Sequence, residues 1–137
     1  MIYIASNVAS RQRLKPIRQA IRDFGLSCSS SWLDIATDYP GDFASRPETE
    51  EWAQERHRDL REIATSSLVI IDTLEQSVTG GREFEIGYAY ALGKSFWRVG
   101  PKRHLFHTAA ANVFENWQHC LEVLLTDGAA SLKRARA

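Results

Sequence analysis

Two carboxylates stand near the start of residues 79–95, which read TGGREFEIGYAYALGKS. A loop of small residues runs there into a helical pattern, and Glu83 and Glu85 fall in the first turn of the predicted helix. Residues two apart on a helix point about 200° away from each other, so at most one of the two can enter a cleft. A carboxylate in a cleft can stabilise a developing positive charge and then capture it as a covalent ester. Alternatively, both are ordinary acidic residues favoured by the helix dipole.

The other reactive side chains form weaker patterns. Cys28 and Cys120 lie far apart and match no metal or redox spacing, which favours buried structural thiols. His104 and His107 stand three apart without a thiol or carboxylate pair at ligand spacing, so we interpret them as loop histidines and expect no metal. The sequence has no Walker or GxGxxG loop, so nucleoside triphosphate hydrolysis and dinucleotide reduction are poorly supported and no cofactor is expected.

Length and composition are those of one ordinary globular domain. The chain has 137 residues, 44% of them hydrophobic and 25% charged, with a formal net charge of zero. No basic excess indicates a nucleic-acid or membrane partner, and the longest apolar runs, such as residues 68–71, are far shorter than a bilayer span. We therefore expect a cytoplasmic protein with one domain at residues 1–126 and a solvated basic tail at 127–137.

Short apolar runs alternate with amphipathic helical stretches, which is the pattern of a parallel α/β sheet. Strands are predicted at residues 2–5, 26–32, 67–72, 96–100 and 113–115. Helices are predicted at residues 10–24, 49–65, 82–93 and 116–125. The irregular segment at residues 34–47 is long enough to be functional. Ligands bind at the carboxyl ends of such strands, and the helix of Glu83 and Glu85 begins at that edge.

The stretch GREFEIGYAYALGK, residues 81–94, resembles the signature of the nucleoside 2-deoxyribosyltransferase family, which includes the 2′-deoxynucleoside 5′-phosphate N-hydrolases. In that family the nucleophilic Glu is followed by a small apolar residue, Gly, a variable residue and Ala. Residues 85–89, EIGYA, match this pattern, whereas Glu83 does not and is expected to lie on the helix surface. The first strand, the segment HRDLREI and the stretch GKSFWRVG are also similar, so the resemblance spans roughly residues 2–125.

The resemblance implies a flavodoxin-like three-layer sandwich with a five-stranded parallel sheet in the order 2-1-3-4-5. It also implies an enzyme that cleaves the N-glycosidic bond of a (deoxy)nucleoside or its 5′-monophosphate. Glu85 would form a covalent glycosyl ester, Tyr3 would reach toward it from the first strand, and Asp59 would lie beside the sugar. Judged from the residues alone, Tyr3 is an ordinary core aromatic and Asp59 a solvated residue of a charged helix.

Loops and helix starts at the same edge supply candidate substrate-binding residues. Trp32 can stack on a base and Asp34 can hydrogen-bond the edge of that base, although a buried core Trp is an equal alternative. A 5′-phosphate suits two helix starts, where backbone N–H groups favour an anion. The candidates there are Ser6, Arg11 and Arg13 at the first helix, and Gly80, Gly81 and Arg82 at the helix of Glu85.

Departures from the family pattern bear on the reaction and on assembly. Thr79 stands six residues before Glu85, where the transferases carry an Asp, and this departure together with the arginine-bearing first loop places hydrolysis slightly ahead of transfer. In the family, the loop corresponding to VGPKRHLFH often reaches into a neighbouring subunit's active site. His104, Phe106 and His107 are therefore candidates for completing a partner's pocket in a homodimer or larger oligomer. The alternative of another class is a non-catalytic nucleotide-binding or sensing module with this fold.

Overall fold

The computed structural model describes residues 1–35, 43–77 and 79–128, and within them the predicted parallel α/β arrangement is confirmed. Four parallel strands form one sheet in the order β1-β2-β3-β4: Ile2–Ala5 (β1), Leu68–Asp72 (β2), Ser95–Val99 (β3) and Asn112–Phe114 (β4). The helices are Arg11–Asp23 (α1), Trp32–Ile35 (α2), Glu50–Thr65 (α3), Gly81–Ala91 (α4) and Trp117–Val123 (α5). Short 3-10 turns lie at Val8–Ser10, Phe43–Ser45 and Leu105–Ala109, and a π-helical turn at Leu124–Gly128 follows α5.

The middle of the sheet is apolar because both of its faces are covered. All residues of β1 and β2 are buried, and their register pairs Tyr3 with Val69. Helix α4 packs against β1, β2 and β3, and α3 packs against α4. Continuous apolar runs of this kind are typical of buried parallel strands, which is why the sequence identified both.

Side-chain caps explain where two of the helices begin. The Thr49 hydroxyl accepts a hydrogen bond from the Trp52 N–H at 3.1 Å and starts α3, and the Asn116 side chain accepts one from the His119 N–H at 2.8 Å and starts α5. Gly80 precedes α4 in the left-handed region with a φ of 79°. None of the described helices is both long and apolar enough to cross a bilayer.

The prediction of a five-stranded sheet is wrong for the described residues, because the segment at residues 26–32 makes a single bridge, Ile2 to Cys28, beside β1. The Ile2 N–H donates to the Ser27 carbonyl at 2.8 Å, and its carbonyl accepts from the Ser29 N–H at 3.0 Å. Ser30, with a φ of 43°, then turns the chain away from the sheet. The other four predicted strands are present and lie in the predicted relative order.

Side chains complete the edge of β1 where the segment leaves it. The Ile4 N–H donates to Ser30 Oγ at 2.7 Å, and the Ile4 carbonyl accepts from Trp32 Nε1 at 2.7 Å. Trp32 also begins α2, so part of the predicted irregular segment at residues 34–47 is helical. Residues 36–42 of that segment and the tail from residue 129 lie outside the described residues.

The carboxyl ends of β2 and β3 meet tightly. Gly100 follows β3 with a φ of 117°, and a Cβ on it would lie 2.6 Å from Thr73 Oγ1. Asp72, the last residue of β2, is fully buried and accepts hydrogen bonds from Arg13 and from Trp117 Nε1. It therefore joins α1 and α5 to the end of the central strand.

Candidate active site

A cavity of about 590 Å³ opens where β1 ends and α4 begins. Its walls come from the loop after β1, from one face of α3 with the turn that precedes it, and from the first residues of α4. The predicted site residues that line it are Ser6, Trp32, Asp59, Gly81, Arg82 and Glu85. Segments far apart in sequence thus meet at the edge of the sheet that parallel α/β folds use for ligands.

Glu85 is the fifth residue of α4, at the start of the second turn, because the helix begins at Gly81 rather than at Arg82. Its Oε1 accepts a hydrogen bond of 3.2 Å from the hydroxyl of Tyr3, whose side chain is fully buried in β1. Its Oε2 is buried and has no hydrogen-bond partner in the described part of the chain. One oxygen of this carboxyl group is therefore held while the other is unsatisfied.

Burial sets the protonation of the Tyr3 and Glu85 pair. Burial, and next the negative charge of Asp59, raise the pKa of Glu85 well above its ordinary value, while the hydrogen bond from Tyr3 opposes the shift. Burial and the charge of Glu85 raise the pKa of Tyr3 as well. Tyr3 therefore keeps its proton at neutral pH and acts as the donor.

Asp59 is a second carboxyl group in the cavity wall. Burial raises the pKa of Asp59 to about 7, Arg58 opposes the shift with a guanidinium nitrogen 3.7 Å from Oδ1, and Glu62 and Glu55 add to it. The cavity thus contains two carboxyl groups with raised pKa values. Such a pair is suited to acid–base and nucleophilic catalysis.

Aromatic side chains supply much of the remaining wall. The rings of Phe43 and Trp52 are tilted by 31° with their centroids 4.5 Å apart, and Trp32 is anchored through its Nε1 to β1. The sequence alone did not identify Phe43 or Trp52 as site residues. The available signal was helical spacing, because Trp52, Arg56 and Asp59 are separated by four and then three residues and share one face of α3.

Arg11, Arg13, Asp34 and Gly80 lie outside the cavity lining. Arg13 binds both carboxylate oxygens of Asp72 at 2.9 and 3.0 Å. Asp34 pairs with the buried Arg18 at 2.7 and 2.9 Å. Sequence reasoning placed all four beside the ligand, but their segments only border the cavity.

Arg82 lines the cavity and also braces the loop after β2. Its Nη1 donates to the carbonyls of Asp72 at 3.2 Å and Glu75 at 2.9 Å. Its Nε donates to Glu83 Oε1 at 2.9 Å. A guanidinium engaged in this way holds protein backbone in place.

Glu83 lies outside the cavity lining, as expected of a residue that faces away from Glu85, but it is half-buried rather than exposed on the helix surface. Glu83 and Glu85 do bond to different partners, but the Glu83 carboxylate is only 22% exposed and holds both Arg82 and His107. His107 is fully buried within its own chain, whereas His104 and Phe106 are exposed and stack on each other at 5.2 Å. Of the three late-loop candidates, only His104 and Phe106 can reach a second molecule.

In residues 1–35, 43–77 and 79–128, no three His, Cys, Asp or Glu side chains come together in a way that could hold a metal ion. Cys28 and Cys120 are buried, and burial raises the pKa of their thiols to about 11 and about 12. They are therefore unreactive thiols at neutral pH.

The chain resembles known proteins in sequence and in structure. The sequence profile of a family described as Nucleoside 2-deoxyribosyltransferase matches residues 2–123. No functionally curated protein matches the chain significantly. Two solved structures resemble it: a 2-deoxyribosyltransferase of the psychrotolerant bacterium Bacillus psychrosaccharolyticus and a CMP N-glycosidase of Clostridium botulinum.

The structural similarity covers most of each chain. The 2-deoxyribosyltransferase is 20% identical, with a TM-score of 0.68 over 87% of this chain and 88% of that chain. The CMP N-glycosidase is 16% identical, with a TM-score of 0.57 over 90% of this chain and 98% of that chain. At such identities the similarity shows a shared fold.

Proposed function

Because this chain belongs to the nucleoside 2-deoxyribosyltransferase family, we propose that it cleaves the N-glycosidic bond of a (deoxy)nucleoside or its 5′-monophosphate in the cavity of Glu85. One observation carries the proposal. Glu85 has one oxygen held by Tyr3 and a second, buried oxygen that no described group satisfies. A carboxylate held in this way is prepared to bond to an electrophilic carbon.

The proposed reaction proceeds in two displacements at C1′ of the sugar. In the first, the bond from C1′ to the base nitrogen breaks with its electron pair leaving on the base, and Glu85 Oε2 bonds to C1′. Asp59 gives the departing base a proton. In the second, Asp59 takes a proton from water, the water oxygen bonds to C1′, and the Glu85 carboxylate is released. The net change is nucleoside plus water to free base plus sugar, and a second base in place of water gives transfer with retained configuration.

The raised pKa values of the two carboxyl groups suit this division of roles. With a pKa of about 7, Asp59 carries a proton in about half of the molecules at neutral pH. Glu85 must be ionised to attack, and the positive charge that develops on the sugar favours its ionised form. One proton shared between the two groups, held on Asp59 when substrate binds, is the reactive arrangement.

Aromatic walls suggest how the base is held. The Phe43–Trp52 pair offers apolar surfaces that can stack on a purine or a pyrimidine, whereas Trp32 is only 5% exposed and belongs to the core at the cavity edge. Thr79 lines the cavity where the family transferases carry an Asp, which keeps hydrolysis slightly ahead of transfer. We further propose a homodimer in which His104 and Phe106 lie near a neighbour's cavity.

The test incubates the protein with ribo- and deoxynucleosides and their 5′-monophosphates, with and without a free acceptor base, and separates the products by chromatography. We expect free base from at least one substrate and its loss in Glu85→Gln, while Glu122→Gln, an exposed carboxylate of α5 outside the cavity, retains turnover. A new nucleoside that forms only when the acceptor base is present would identify a transferase.

The covalent step has its own readout. Trypsin cleaves after Arg82 and Lys94, so acid-quenched reactions should yield peptide 83–94 carrying one sugar, and fragmentation should place the sugar on Glu85 and not on Glu83. Equal activity of the wild type and Glu85→Gln would overturn the proposal. Silence of both proteins with all substrates, together with measurable nucleotide binding, would identify the non-catalytic binding module.

A further inference from the structure

His107, in the loop that follows β3, is fully buried. Its carbonyl accepts a hydrogen bond from Arg98 Nη1 at 2.8 Å. Its Nδ1 accepts one from the backbone N–H of Arg103 at 3.0 Å, and its Nε2 lies 3.0 Å from Glu83 Oε1. The carbonyl oxygen and both ring nitrogens of His107 thus have hydrogen-bond partners within the same chain.

These contacts determine the tautomer of the ring. A ring nitrogen that accepts an N–H bond carries no proton, so the proton of the neutral imidazole lies on Nε2 and is donated to Glu83. Burial lowers the pKa of His107, which keeps the ring neutral near pH 7. Burial acts to raise the pKa of Glu83, but the hydrogen bond and charge of Arg82 hold it below its usual value, so Glu83 is ionised there.

Glu83 consequently joins three parts of the chain. Its Oε1 accepts from His107 of the late loop and from Arg82 Nε, while Arg82 Nη1 holds the loop after β2. Glu85 stands two residues further along α4, 3.2 Å from the Tyr3 hydroxyl. A shift of the first turn of α4 would change that distance.

We propose that Glu83 and His107 are positioning residues, which hold the start of α4 so that the Glu85 carboxylate stays aligned with Tyr3 and with the cavity. The inference rests on the proposed function, because its consequence is a change in turnover at Glu85. Neither side chain needs to touch the substrate, and the pair acts through helix position alone.

The kinetic test compares Glu83→Ala, Glu83→Gln and, as a matched surface carboxylate, Glu122→Ala. Glu83→Ala leaves the buried His107 N–H without an acceptor, and we expect kcat to fall about tenfold or more with KM little changed. Glu83→Gln keeps an oxygen for that N–H and should recover much of the loss. Turnover of Glu83→Ala equal to that of Glu122→Ala would overturn the proposal.

A spectroscopic test reads the pair without turnover. The chain has four histidines, and a nitrogen-15 imidazole spectrum near pH 7 should show one neutral ring protonated at Nε2 that belongs to His107. That signal should vanish in His107→Gln and shift in Glu83→Ala. If His107→Gln does not fold, the exposed His57, His104 and His119 are each replaced by Gln instead. The signal that persists in all three variants is then that of His107.

Glu85→Gln, measured in parallel, separates the two hypotheses. A fully active Glu85→Gln overturns the proposed function. The contact between Glu83 and His107 is then tested by the nitrogen-15 signal of His107 alone. A ring protonated at Nδ1, or one that titrates like an exposed histidine, overturns the positioning pair whatever the kinetics. If Glu85→Gln is inactive but Glu83→Ala is fully active, the proposed function stands and the positioning role of Glu83 and His107 is overturned.

Discussion

Asp59 combines partial burial with negative neighbours, and the consequence is a carboxyl group that titrates near neutral pH. If it protonates the departing base, kcat/KM should fall as pH rises through about 7, because the acid form is then lost. Asp59→Asn should lower kcat/KM by roughly 100-fold and remove that alkaline decline. Initial rates between about pH 5 and 9 measure both effects. An unchanged decline in the Asn variant would assign it to another group.

The raised pKa of Asp59 also affects the free energy of unfolding of the protein. The pKa of Asp59 is raised from 3.8 to about 7 on folding, so protonation favours the folded state, and this contribution is complete below pH 3.8 and lost as pH rises toward 7. Asp59→Asn cannot ionise and should be more stable than the wild type above pH 7, by roughly 2 kcal/mol after solvent screening. The advantage should shrink toward pH 4 in urea unfolding. An advantage independent of pH would contradict this account.

Tyr3 acts on Glu85 through a single hydrogen bond. Tyr3→Phe keeps the buried ring and removes the donor that lowers the pKa of Glu85, so that pKa should rise. Because Glu85 must be ionised, the acid side of the rate profile should move to higher pH and kcat should fall about tenfold. Tyr90→Phe, an exposed hydroxyl of α4, is the control. An acid side that stays in place would exclude Tyr3 as the partner of the nucleophile.

At the scale of elements, the sheet depends on the close approach of two strand ends at Gly100. Gly100→Ala should destabilise the protein by at least about 3 kcal/mol, because its Cβ would meet Thr73 Oγ1 at 2.6 Å and the Leu74 nitrogen at 2.8 Å. Gly80→Ala, also at positive φ but with open space around it, should cost only about 1 kcal/mol. Chemical denaturation measures the free energy of unfolding of both variants, and the difference separates the effect of the steric contact from that of the positive φ. Equal losses would show that the close approach is unimportant.

Elements with continuous patterns were predictable from the sequence. The strands at residues 2–5 and 67–72 and the helix at 49–65 follow from apolar runs and helical spacing, and the structure agrees within a residue or two. The segment at residues 26–32 was predicted as a strand because its local composition permits one. Its departure depends on bonds from Ser30 and Trp32 to β1, which no local pattern contains.

The candidate site was less predictable from local patterns than the fold. Tyr3 and Asp59 were named only through the resemblance to the family, because the residues alone favour a core aromatic within β1 and a solvated residue in the middle of α3. The partner of Arg13 could not be foreseen, since it lies 59 positions away at Asp72, and an arginine near a helix start is equally suited to a phosphate. The contact between Glu83 and His107 could not be predicted either, because the two residues are 24 positions apart.

At the scale of the whole molecule, Asp72 ties α1 and α5 to the central strand. Asp72→Ala should destabilise the protein by about 3 kcal/mol, because the buried Trp117 N–H and the Arg13 guanidinium lose their acceptor. Glu75→Ala removes the exposed partner of the same arginine and should cost less than about 1 kcal/mol. Urea unfolding of both variants measures the difference. Equal losses would mean that burial of Asp72 adds nothing.

The edge of β1 completed by Ser30 and Trp32 also limits what the molecule can do in a crowded solution. An unpaired strand edge is a template on which another chain can add a strand, and such additions lead to aggregates. Here the polar groups of Ile2 and Ile4 are occupied by the chain itself, so this route is closed at those residues. Because the Trp32 indole is also a wall of the cavity, a substitution made there to alter substrate choice would at the same time expose the protein to aggregation.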